Sequence, residues 1–448
     1  MKTVIMAGGR GTRISELFPD IPKPLIPIDG VPVLEREIVS LRDQGFKDII
    51  LTVSYKADQI KNYFGDGSKW STNISYYVED VPLGNAGALV KMRANGKLDG
   101  DFLLLNADAI FDIDFNRFVS FHKSKGGLVT LFTHPNSHPY DSGLIIADKD
   151  GMVKQWLTKE DERPKWYKNR VNAGLHVINA KVLDHVKDAK GNEINPDLIG
   201  VVNSATGNYL KIDLDRNILK PLCNSGQVFC YDSPEYVKDM GTPERFRAVE
   251  HDFAAGIVQA KNLKNKQKAI FLDRDGTINR YVGFLRNIDD FELLPGVSKA
   301  IKKINNSGYL AIVITNQPVI ARGEVTFEQL DEIHNKMETL FGYEGAYLDA
   351  IYFCPHHPDK GFPGEIPELK INCNCRKPKP GMLLKAAEDY NIDLNQSWMV
   401  GDGKNDILAG KNAGCRTAYL SDSNTDKNEY GQDLTVSSLL DFVQKACL

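Results

Sequence analysis

The sequence AIFLDRDGT at residues 269–277 decides the organisation of the second half of the chain. Four apolar residues predict a buried strand, and two carboxylates, Asp273 and Asp275, follow it two residues apart. On an extended segment such residues point the same way. One carboxylate can then attack a phosphate as a nucleophile, while the other exchanges protons with the leaving group and with water. The alternative for this stretch is an Asx-rich turn without chemistry.

Similar apolar runs on both sides of this stretch predict the rest of the fold. They alternate with helical patterns, which is typical of an α/β fold with a mostly parallel sheet. A polar, basic segment without periodicity, residues 261–268, separates two groups of runs, and no internal repeat relates them. We therefore predict two unrelated α/β domains over residues 1–245 and 268–448, joined by a linker over residues 246–267. The runs that carry this prediction are residues 3–6, 48–53, 102–105, 309–314 and 398–400.

Composition excludes several classes of protein. The 448 residues suit two to three domains, and 42% hydrophobic residues are enough for real cores. Because 55 basic residues face 59 acidic ones, the net charge of −4 gives no long-range positive field for nucleic acid. The apolar start at residues 1–6 is too short for a secretory signal, and no run approaches the ~20 residues of a membrane span. We expect a cytoplasmic protein with small-molecule substrates and with neither a nucleic-acid nor a membrane partner.

Two short segments near the start of the chain carry polar chemistry. The first, AGGRGTR at residues 7–13, follows the first strand, and its glycines let backbone N–H groups approach phosphates closely. Arg10 and Arg13 can clamp a polyphosphate, and a tight turn is the alternative for this loop. The second, PKPL at residues 22–25, stiffens the backbone on both sides of Lys23, which suits a lysine aimed at a fixed target. By itself, the second segment could equally hold a solvated lysine.

Together the two segments resemble the signature of the sugar nucleotidyltransferases (nucleotidyl phosphosugar pyrophosphorylases), G-G-x-G-T-R followed by K-P. The resemblance covers roughly residues 1–245 and implies a Rossmann-like, GT-A-like mixed sheet. It also implies transfer of a nucleotidyl group from a nucleoside triphosphate to a sugar 1-phosphate, with release of pyrophosphate. Arg13 and Lys23 are the catalytic residues expected from it. The expected nucleotide-binding residues are Gly8, Gly9, Arg10, Gly11 and Thr12.

Two carboxylates complete the expected transferase site. Asp108 follows the run at residues 102–105, where open α/β sheets bind ligands, and a helix cap is the alternative for it. Asp239 stands in a segment that resembles the family's D-x-G-T-P motif, which carries a second metal carboxylate. We expect the pair to hold Mg²⁺ against the triphosphate. The resemblance further implies substrate contacts at Gly84, Gly87, Asn172, Gly174 and Lys159. The surroundings of Lys159 depart from the family's E-K-P form, so a surface lysine is its alternative.

The stretch at residues 269–277 resembles the first motif of the haloacid dehalogenase (HAD) superfamily, and three further motifs follow in order. The resemblance implies a Rossmannoid parallel sheet, with Asp273 as nucleophile and Asp275 as acid and base. The motifs T-N-Q and R-K-P imply phosphate contacts and cations for the transition state, at Thr315, Asn316, Arg376 and Lys377. The segment GDGKND at residues 401–406 supplies further carboxylates. The expected Mg²⁺ ligands are Asp273, Asp275 and Asp402, with Asp406 in a supporting position.

Three cysteines and a histidine crowd together between the second and third of these motifs. Cys354, Cys373 and Cys375 with His356 form a Cys₃His set, which suits a closed, structural Zn²⁺ site in a reducing compartment. We choose His356 rather than His357 because alternate residues on an extended segment face one way. The metal would pin a long loop and aim Arg376, which follows Cys375 directly. Chance clustering in a loop is the alternative.

This arrangement resembles one branch of the superfamily, which contains the D-glycero-D-manno-heptose 1,7-bisphosphate phosphatases and the histidinol-phosphate phosphatases. Pro318 and Val319 depart from the branch's usual Ser-Gly, and Arg322 is the expected substrate-side cation. A fusion is most useful when one product is the other's substrate. We therefore expect removal of the distal phosphate of heptose 1,7-bisphosphate, then nucleotidyl transfer, with GTP favoured, to heptose 1-phosphate. The alternatives are a mannose-type hexose 1-phosphate nucleotidyltransferase fused to a histidinol-phosphate-type phosphatase, and a nucleotide-sugar sensor that regulates the phosphatase.

Overall fold

The computed structural model describes residues 1–9, 11, 13–188, 190–202, 207–421 and 428–446. Contacts between residues divide the chain into two units. Unit 1 comprises residues 1–133, 143–158 and 172–259, and unit 2 comprises residues 134–142, 159–171 and 260–448. Among the described residues, none of the helices combines the length and the apolar character needed to cross a membrane.

The first part of the chain alternates strands and helices, as the apolar runs predict. Its strands are β1 Lys2–Met6, β2 Pro27–Ile28, β3 Val31–Pro32, β4 Asp48–Val53, β5 Asn73–Val78, β6 Asp101–Asn106, β7 Ala109–Asp112, β8 Val129–His134, β9 Leu144–Ala147, β10 Val153–Leu157, β11 Val171–Asn179, β12 Val228–Asp232 and β13 Tyr236–Asp239. Its helices are α1 Val33–Asp43, α2 Ala57–Phe64, α3 Gly87–Ala94, α4 Phe115–Lys125, α5 Lys220–Leu222, α6 Pro243–Ala254 and α7 Ile257–Ala260.

A nine-stranded mixed sheet forms the centre of unit 1. Seven strands follow the order β10-β9-β11-β6-β1-β4-β5, and β8 joins β12 to β11. Strands β6, β1, β4 and β5 are parallel, whereas β11 runs antiparallel to β6. Successive residues of β6 pack in different hydrophobic cores. Leu104 lies in one core, and Leu103 and Leu105 lie in the other, so both faces of the sheet are covered. Continuous apolar runs are therefore required here, and the predicted mixed sheet is confirmed.

Unit 2 contains a six-stranded, entirely parallel sheet in the order β16-β15-β14-β17-β18-β19. Its strands are β14 Lys268–Leu272, β15 Tyr309–Asn316, β16 Ala350–Cys354, β17 Trp398–Gly401, β18 Arg416–Leu420 and β19 Leu434–Val436. Its helices are α8 Val297–Asn305, α9 Phe327–Tyr343, α10 Gly381–Tyr390, α11 Lys404–Ala413 and α12 Leu439–Lys445. The predicted α/β class with a second, parallel sheet is confirmed. Three of the predicted motifs follow the neighbouring strands β14, β15 and β17.

The segment expected to be a linker, residues 246–267, has regular structure. Helices α6 and α7 cover most of its first half, and Phe246, Val249, Ile257 and Val258 are buried in one core. The burial of these four apolar side chains in one core holds α6 and α7 by packing. The division into two units falls between residues 259 and 260, within the helical segment.

Two segments from the first half of the chain are grouped with unit 2, a feature that the sequence motifs do not predict. Residues 159–171 lie on α9, where the hydroxyl of Thr339 accepts from the backbone N–H of Tyr167 at 2.9 Å and donates to its carbonyl at 3.0 Å. Glu338 accepts from the backbone N–H of Asn169 at 2.6 Å. These contacts are buried, and they make the segment part of unit 2.

Candidate active sites

A cavity of about 510 Å³ opens in unit 1 at the carboxyl ends of β1 and β6. In an open α/β sheet this edge is where ligands bind. Seven of the residues predicted for this site line it: Gly8, Gly9, Gly11, Arg13, Lys23, Gly84 and Asp108, with Asn85 and Gly241 next to them. Arg10 and Thr12, predicted for the same loop, lie outside the described residues.

Lys23 connects the two predicted carboxylates of unit 1. It lies in a short 3₁₀ turn between Pro22 and Pro24, and its side chain is 7% exposed. Its Nζ lies 3.1 Å from Oδ2 of Asp108 and 3.6 Å from Oδ1 of Asp239. Strand β13 pairs with β7 and places Asp239 opposite Ala109, so residues far apart in sequence meet here.

Arg245 is a contact that sequence reasoning missed. It lies in the first turn of α6 and forms an ion pair with Asp239. Thr242 caps α6 by accepting from the N–H of Arg245, so the D-x-G-T-P segment and the helix start are one unit. The sequence signal that could have predicted this contact is an arginine three residues after Thr242.

Of the remaining residues predicted for this site, Gly84 lines the cavity. Gly84 has a φ of +82°, and a Cβ there would overlap the carbonyl oxygen of Ile212, so glycine is required. Asn172 accepts from the N–H of Gly174 at 3.3 Å, and Gly174 lies against the cavity residue Asn106. Gly87 packs against Leu83. Within the described part of the chain, Lys159 is grouped with unit 2 and does not line this cavity.

A second cavity, of about 380 Å³, lies in unit 2 where β14, β15 and β17 end. It is lined by both aspartates of the first motif and by residues of the three later motifs: Asp273, Asp275, Thr315, Asn316, Arg376, Lys377, Asp402 and Asp406. Parallel strands bring three of the four motifs to one edge of the sheet, and a loop brings Arg376 and Lys377 to the same cavity. Pro318 and Val319, the residues that depart from the branch's pattern, lie on its wall.

Lys377 is the centre of this second site. Its Nζ lies 2.6 Å from Asp273 and 2.6 Å from Asp406, and the side chain is 3% exposed. Although burial opposes the positive charge, the two carboxylates raise the pKa of Lys377. The amide of Asn316 exchanges two hydrogen bonds with the backbone of Lys377, at 3.0 and 3.1 Å. Asn316 therefore holds the lysine's backbone in place in addition to lining the cavity.

Three carboxylates could hold a metal ion beside Lys377. Oxygens of Asp273, Asp402 and Asp406 lie within 4.8 Å of one another. Burial, and then repulsion from Asp406, raises the pKa of Asp273, and burial with repulsion from Asp273 raises the pKa of Asp402 to about 6. Crowded carboxylates with raised pKa values are a donor set that a hard divalent cation would relieve. The residues present therefore fit such an ion.

Among the described residues, the carboxylate of Asp275, which is also expected as a Mg²⁺ ligand, lies outside this group of three and makes hydrogen bonds of its own. Strand β14 ends at Leu272, and the chain turns at once, with the N–H of Ile278 donating to the carbonyl of Arg274 at 2.8 Å. The alternation of an extended segment therefore does not apply. The carboxylate of Asp275 instead accepts from Arg274, Asn279 and Gln317. Burial opposes ionisation, but these donors lower the pKa of Asp275 overall.

The Cys₃His set comes together as four neighbouring side chains. The Sγ atoms of Cys354, Cys373 and Cys375 lie 3.2–3.5 Å apart, and Nδ1 of His356 lies 3.3 Å from Cys375. Tetrahedral ligands at about 2.3 Å from zinc lie at similar separations from one another, so this donor set fits that ion. His357 instead accepts from the N–H of Asp359. Arg322, the expected substrate-side cation, is stacked between Phe284, which lines the second cavity, and Phe362, at 4.0 and 4.4 Å from the two ring centres.

Comparisons with known proteins divide along the same two units. The Nucleotidyl transferase family matches residues 2–256, more than half of the chain, and a HAD-hydrolase-like family matches residues 374–442. D-glycero-beta-D-manno-heptose-1,7-bisphosphate 7-phosphatase of Haemophilus ducreyi is 42% identical over 181 residues, 40% of this chain and 97% of that protein. The protein of the same name from Escherichia coli K12 is 40% identical over 179 residues, 39% of this chain and 92% of that protein.

Two solved structures are also similar to parts of the chain. HddC from Yersinia pseudotuberculosis complexed with GMP-PN is 24% identical, with a TM-score of 0.44, over 56% of this chain and 99% of that one. D,D-heptose 1.7-bisphosphate phosphatase from B. bronchiseptica, complexed with magnesium and phosphate, is 31% identical, with a TM-score of 0.35, over 40% of this chain and 98% of that one. On the family match and the curated relatives, the chain belongs to the nucleotidyl transferases and, through its second half, to the HAD-like phosphatases.

Proposed function

We propose that the chain is a bifunctional enzyme of nucleotide-activated heptose synthesis. Unit 2 removes the 7-phosphate of heptose 1,7-bisphosphate, and unit 1 transfers GMP from GTP to the resulting heptose 1-phosphate. The observation that carries the proposal is the presence of two separate lysine–carboxylate sites in one chain, each facing its own cavity. The curated relatives that cover 39–40% of the chain act, by their names, on the bisphosphate.

In unit 2 the residues divide the work of two phosphoryl transfers. An oxygen of Asp273 attacks phosphorus, and the bond to the sugar oxygen breaks. That oxygen takes a proton that Asp275, ionised in the free protein, accepts from the bound phosphate monoanion and passes on. Water then attacks the aspartyl phosphate, its proton passes to Asp275, and inorganic phosphate leaves. Lys377 opposes the rise in the pKa of Asp273 and orients its carboxylate through the contact at 2.6 Å. A Mg²⁺ held by Asp273, Asp402 and Asp406 would neutralise phosphate charge.

In unit 1 the reaction needs positioning more than covalent chemistry. An oxygen of the sugar phosphate attacks the α-phosphorus of the triphosphate, and the bond to the pyrophosphate oxygen breaks. Lys23 lies beside the cavity between Asp108 and Asp239, where it can bind a phosphate oxygen. Arg13 adds a second cation on the same wall. A Mg²⁺ held by the two carboxylates would neutralise charge between the phosphates.

The choice of GTP follows the resemblance of this pair of domains to enzymes of GDP-heptose synthesis, and the choice of zinc follows the Cys₃His chemistry of the loop. Both reactions are assigned to the cytoplasm because thiolate ligands persist in a reducing compartment.

One experiment tests the whole proposal. The purified chain is given heptose 1,7-bisphosphate with GTP, ATP, CTP or UTP in turn, and products are identified by mass. We expect inorganic phosphate in every reaction, and GDP-heptose with pyrophosphate in the GTP reaction. Formation of a nucleotide sugar only when mannose 1-phosphate is supplied would favour the hexose alternative. Phosphate release without any nucleotide product from either sugar would favour the alternative that unit 1 is a nucleotide-sugar sensor.

A further inference from the structure

The arginine of the DRDGT segment makes a contact beyond the catalytic carboxylates. Arg274 is completely buried. Its Nε and Nη2 donate to the carboxylate of Asp275 at 3.2 and 2.8 Å. Its third nitrogen, Nη1, lies 3.3 Å from Nε2 of His334, a buried residue of α9. The guanidinium is therefore held at one edge by a carboxylate and at the other end by an imidazole.

The chemistry of the two groups fixes the direction of the second contact. A guanidinium has only donors, so Nη1 donates and Nε2 of His334 accepts. His334 must then be neutral, with its proton on Nδ1. Burial, and then the charge of Arg274, lowers the pKa of His334 to about 3, so the ring keeps this form throughout the neutral pH range.

We propose that His334 is a positioning residue for the phosphatase reaction: it fixes the plane of Arg274, and Arg274 in turn fixes the carboxylate of Asp275. The inference rests on the proposed phosphatase function and adds a residue that touches neither substrate nor metal. Gln317 and Asn279 each donate once to Asp275, at 2.9 and 3.0 Å, whereas Arg274 holds it with two nitrogens in one plane. That plane determines where the carboxylate points.

Removing the acceptor at His334 is expected to change the alignment of the Asp275 carboxylate more than it changes the binding of substrate. With an apolar residue at position 334, an N–H of a fully buried cation loses its partner, and the side chain of Arg274 rearranges to recover one. Asp275 moves with it, away from the line to the leaving oxygen. Proton transfer depends steeply on this alignment, whereas the ground-state complex does not require it. The expected signature is a lower kcat at nearly constant KM.

Three variants of the full chain separate this role from a structural one. His334→Leu removes the acceptor at similar volume, and His334→Asn carries an acceptor too short to reach Nη1. His334→Gln places an amide oxygen at about the reach of Nε2. Glu332→Gln, at an exposed position of the same helix, is the matched control. Each is assayed with heptose 1,7-bisphosphate, whose alkoxide needs a proton to leave, and with p-nitrophenyl phosphate, whose phenolate does not.

General acid–base catalysis contributes about 10²–10⁴-fold, so partial misalignment is expected to lower kcat for the bisphosphate by about tenfold in the leucine and asparagine variants, with KM within about twofold. We expect the glutamine variant to recover most of this rate. With p-nitrophenyl phosphate the loss is expected to be under about threefold.

Equal losses on both substrates, a change in KM alone, or a glutamine variant no better than leucine would overturn the positioning role while leaving the phosphatase function intact. If the leucine variant does not fold, the asparagine and glutamine variants give the same comparison. A folded wild-type chain that hydrolyses neither substrate would instead remove the proposed function, and this inference with it.

Discussion

Both candidate sites place a lysine between two carboxylates, but the two groups differ in exposure. They are Lys23 with Asp108 and Asp239, and Lys377 with Asp273 and Asp406. In unit 1 the carboxylate side chains are 56% and 40% exposed, whereas in unit 2 they are 13% and 5% exposed. Water and salt screen the first group strongly and the second very little.

The difference indicates that the two sites reach their working geometry in different ways. The unit 2 lysine is held by two contacts of 2.6 Å and by a backbone carbonyl at 2.8 Å, so its site is organised before substrate arrives. The unit 1 carboxylates face the cavity, and their geometry depends on the triphosphate and cation that bind there. Substitutions in unit 2 should therefore affect stability as well as rate, and those in unit 1 mainly rate.

The largest effect is expected from Asp273→Asn. The variant keeps the shape of the side chain but removes the nucleophile, so phosphate release should fall by at least about 10³-fold. Nucleotidyl transfer from supplied heptose 1-phosphate should be unchanged, because the two sites belong to different units. Both rates are measured on the same preparation, by phosphate and pyrophosphate release. Loss of both activities in a folded variant would contradict the assignment of one reaction to each unit.

Asp108→Asn tests charge at the exposed site. Loss of one transition-state charge contact typically costs about 10²–10³ in rate, so nucleotidyl transfer should fall that far. Phosphatase activity and melting temperature should not change, since the side chain is exposed. Asp108 lies between β6 and β7 and caps no helix of the described chain, so the helix-cap alternative is excluded, whereas a purely structural role for its side chain predicts near-normal transfer. A pyrophosphate-release assay at saturating GTP distinguishes the two.

Cys375→Ser tests what holds the buried lysine in place. Lys377 stands two residues past Cys375, whereas Lys23 is held by its flanking prolines. If the Cys₃His set binds zinc, the variant should contain well under one zinc per chain and melt at lower temperature, because structural zinc contributes to folding free energy. Phosphatase activity should fall and transferase activity should persist. Full zinc content with unchanged melting would exclude a zinc-anchored loop.

Much of the fold could be predicted from the sequence because the central strands are covered on both faces. Residues 48–53 and 102–105, for example, coincide with β4 and with the centre of β6. Three of the four motifs of unit 2 were predictable because each lies at the carboxyl end of such a strand. The linker predicted over residues 246–267 stays a prediction, and the helical spacing of Phe246 and Val249 is the signal for the helices found in it.

Other features depend on contacts that local patterns do not encode. The orientation of Asp275 depends on the turn after Leu272 and on its contact with Arg274, for which the sequence motif predicts no role. The docking of residues 159–171 on α9 depends on Glu338 and Thr339, more than 160 residues away. A polar pair buried on an otherwise amphipathic helix was the available signal.

The smallest expected effect concerns Asp402, and it isolates the consequence of burial. The pKa of this carboxyl is raised to about 6, so the folded chain binds its proton more tightly than the unfolded chain does. Ionisation therefore opposes folding: the stabilisation by the proton is complete below the unfolded pKa of about 4 and is lost as pH rises through about 6.

Asparagine at position 402 mimics the protonated form of Asp402. In the metal-free chain, Asp402→Asn should raise the melting temperature of unit 2 at pH 7.5 by about 2–4 °C, the shift that about 1 kcal/mol produces in a domain of this size. The difference should vanish near pH 4.5 and reverse when Mg²⁺ is added, because the variant lacks a ligand. The same substitution at exposed Asp108 provides the control, with no change expected at any pH. A melting temperature for Asp402→Asn that is equal to wild type at pH 7.5 without metal would mean that burial at the second site does not carry the energetic cost inferred from its geometry.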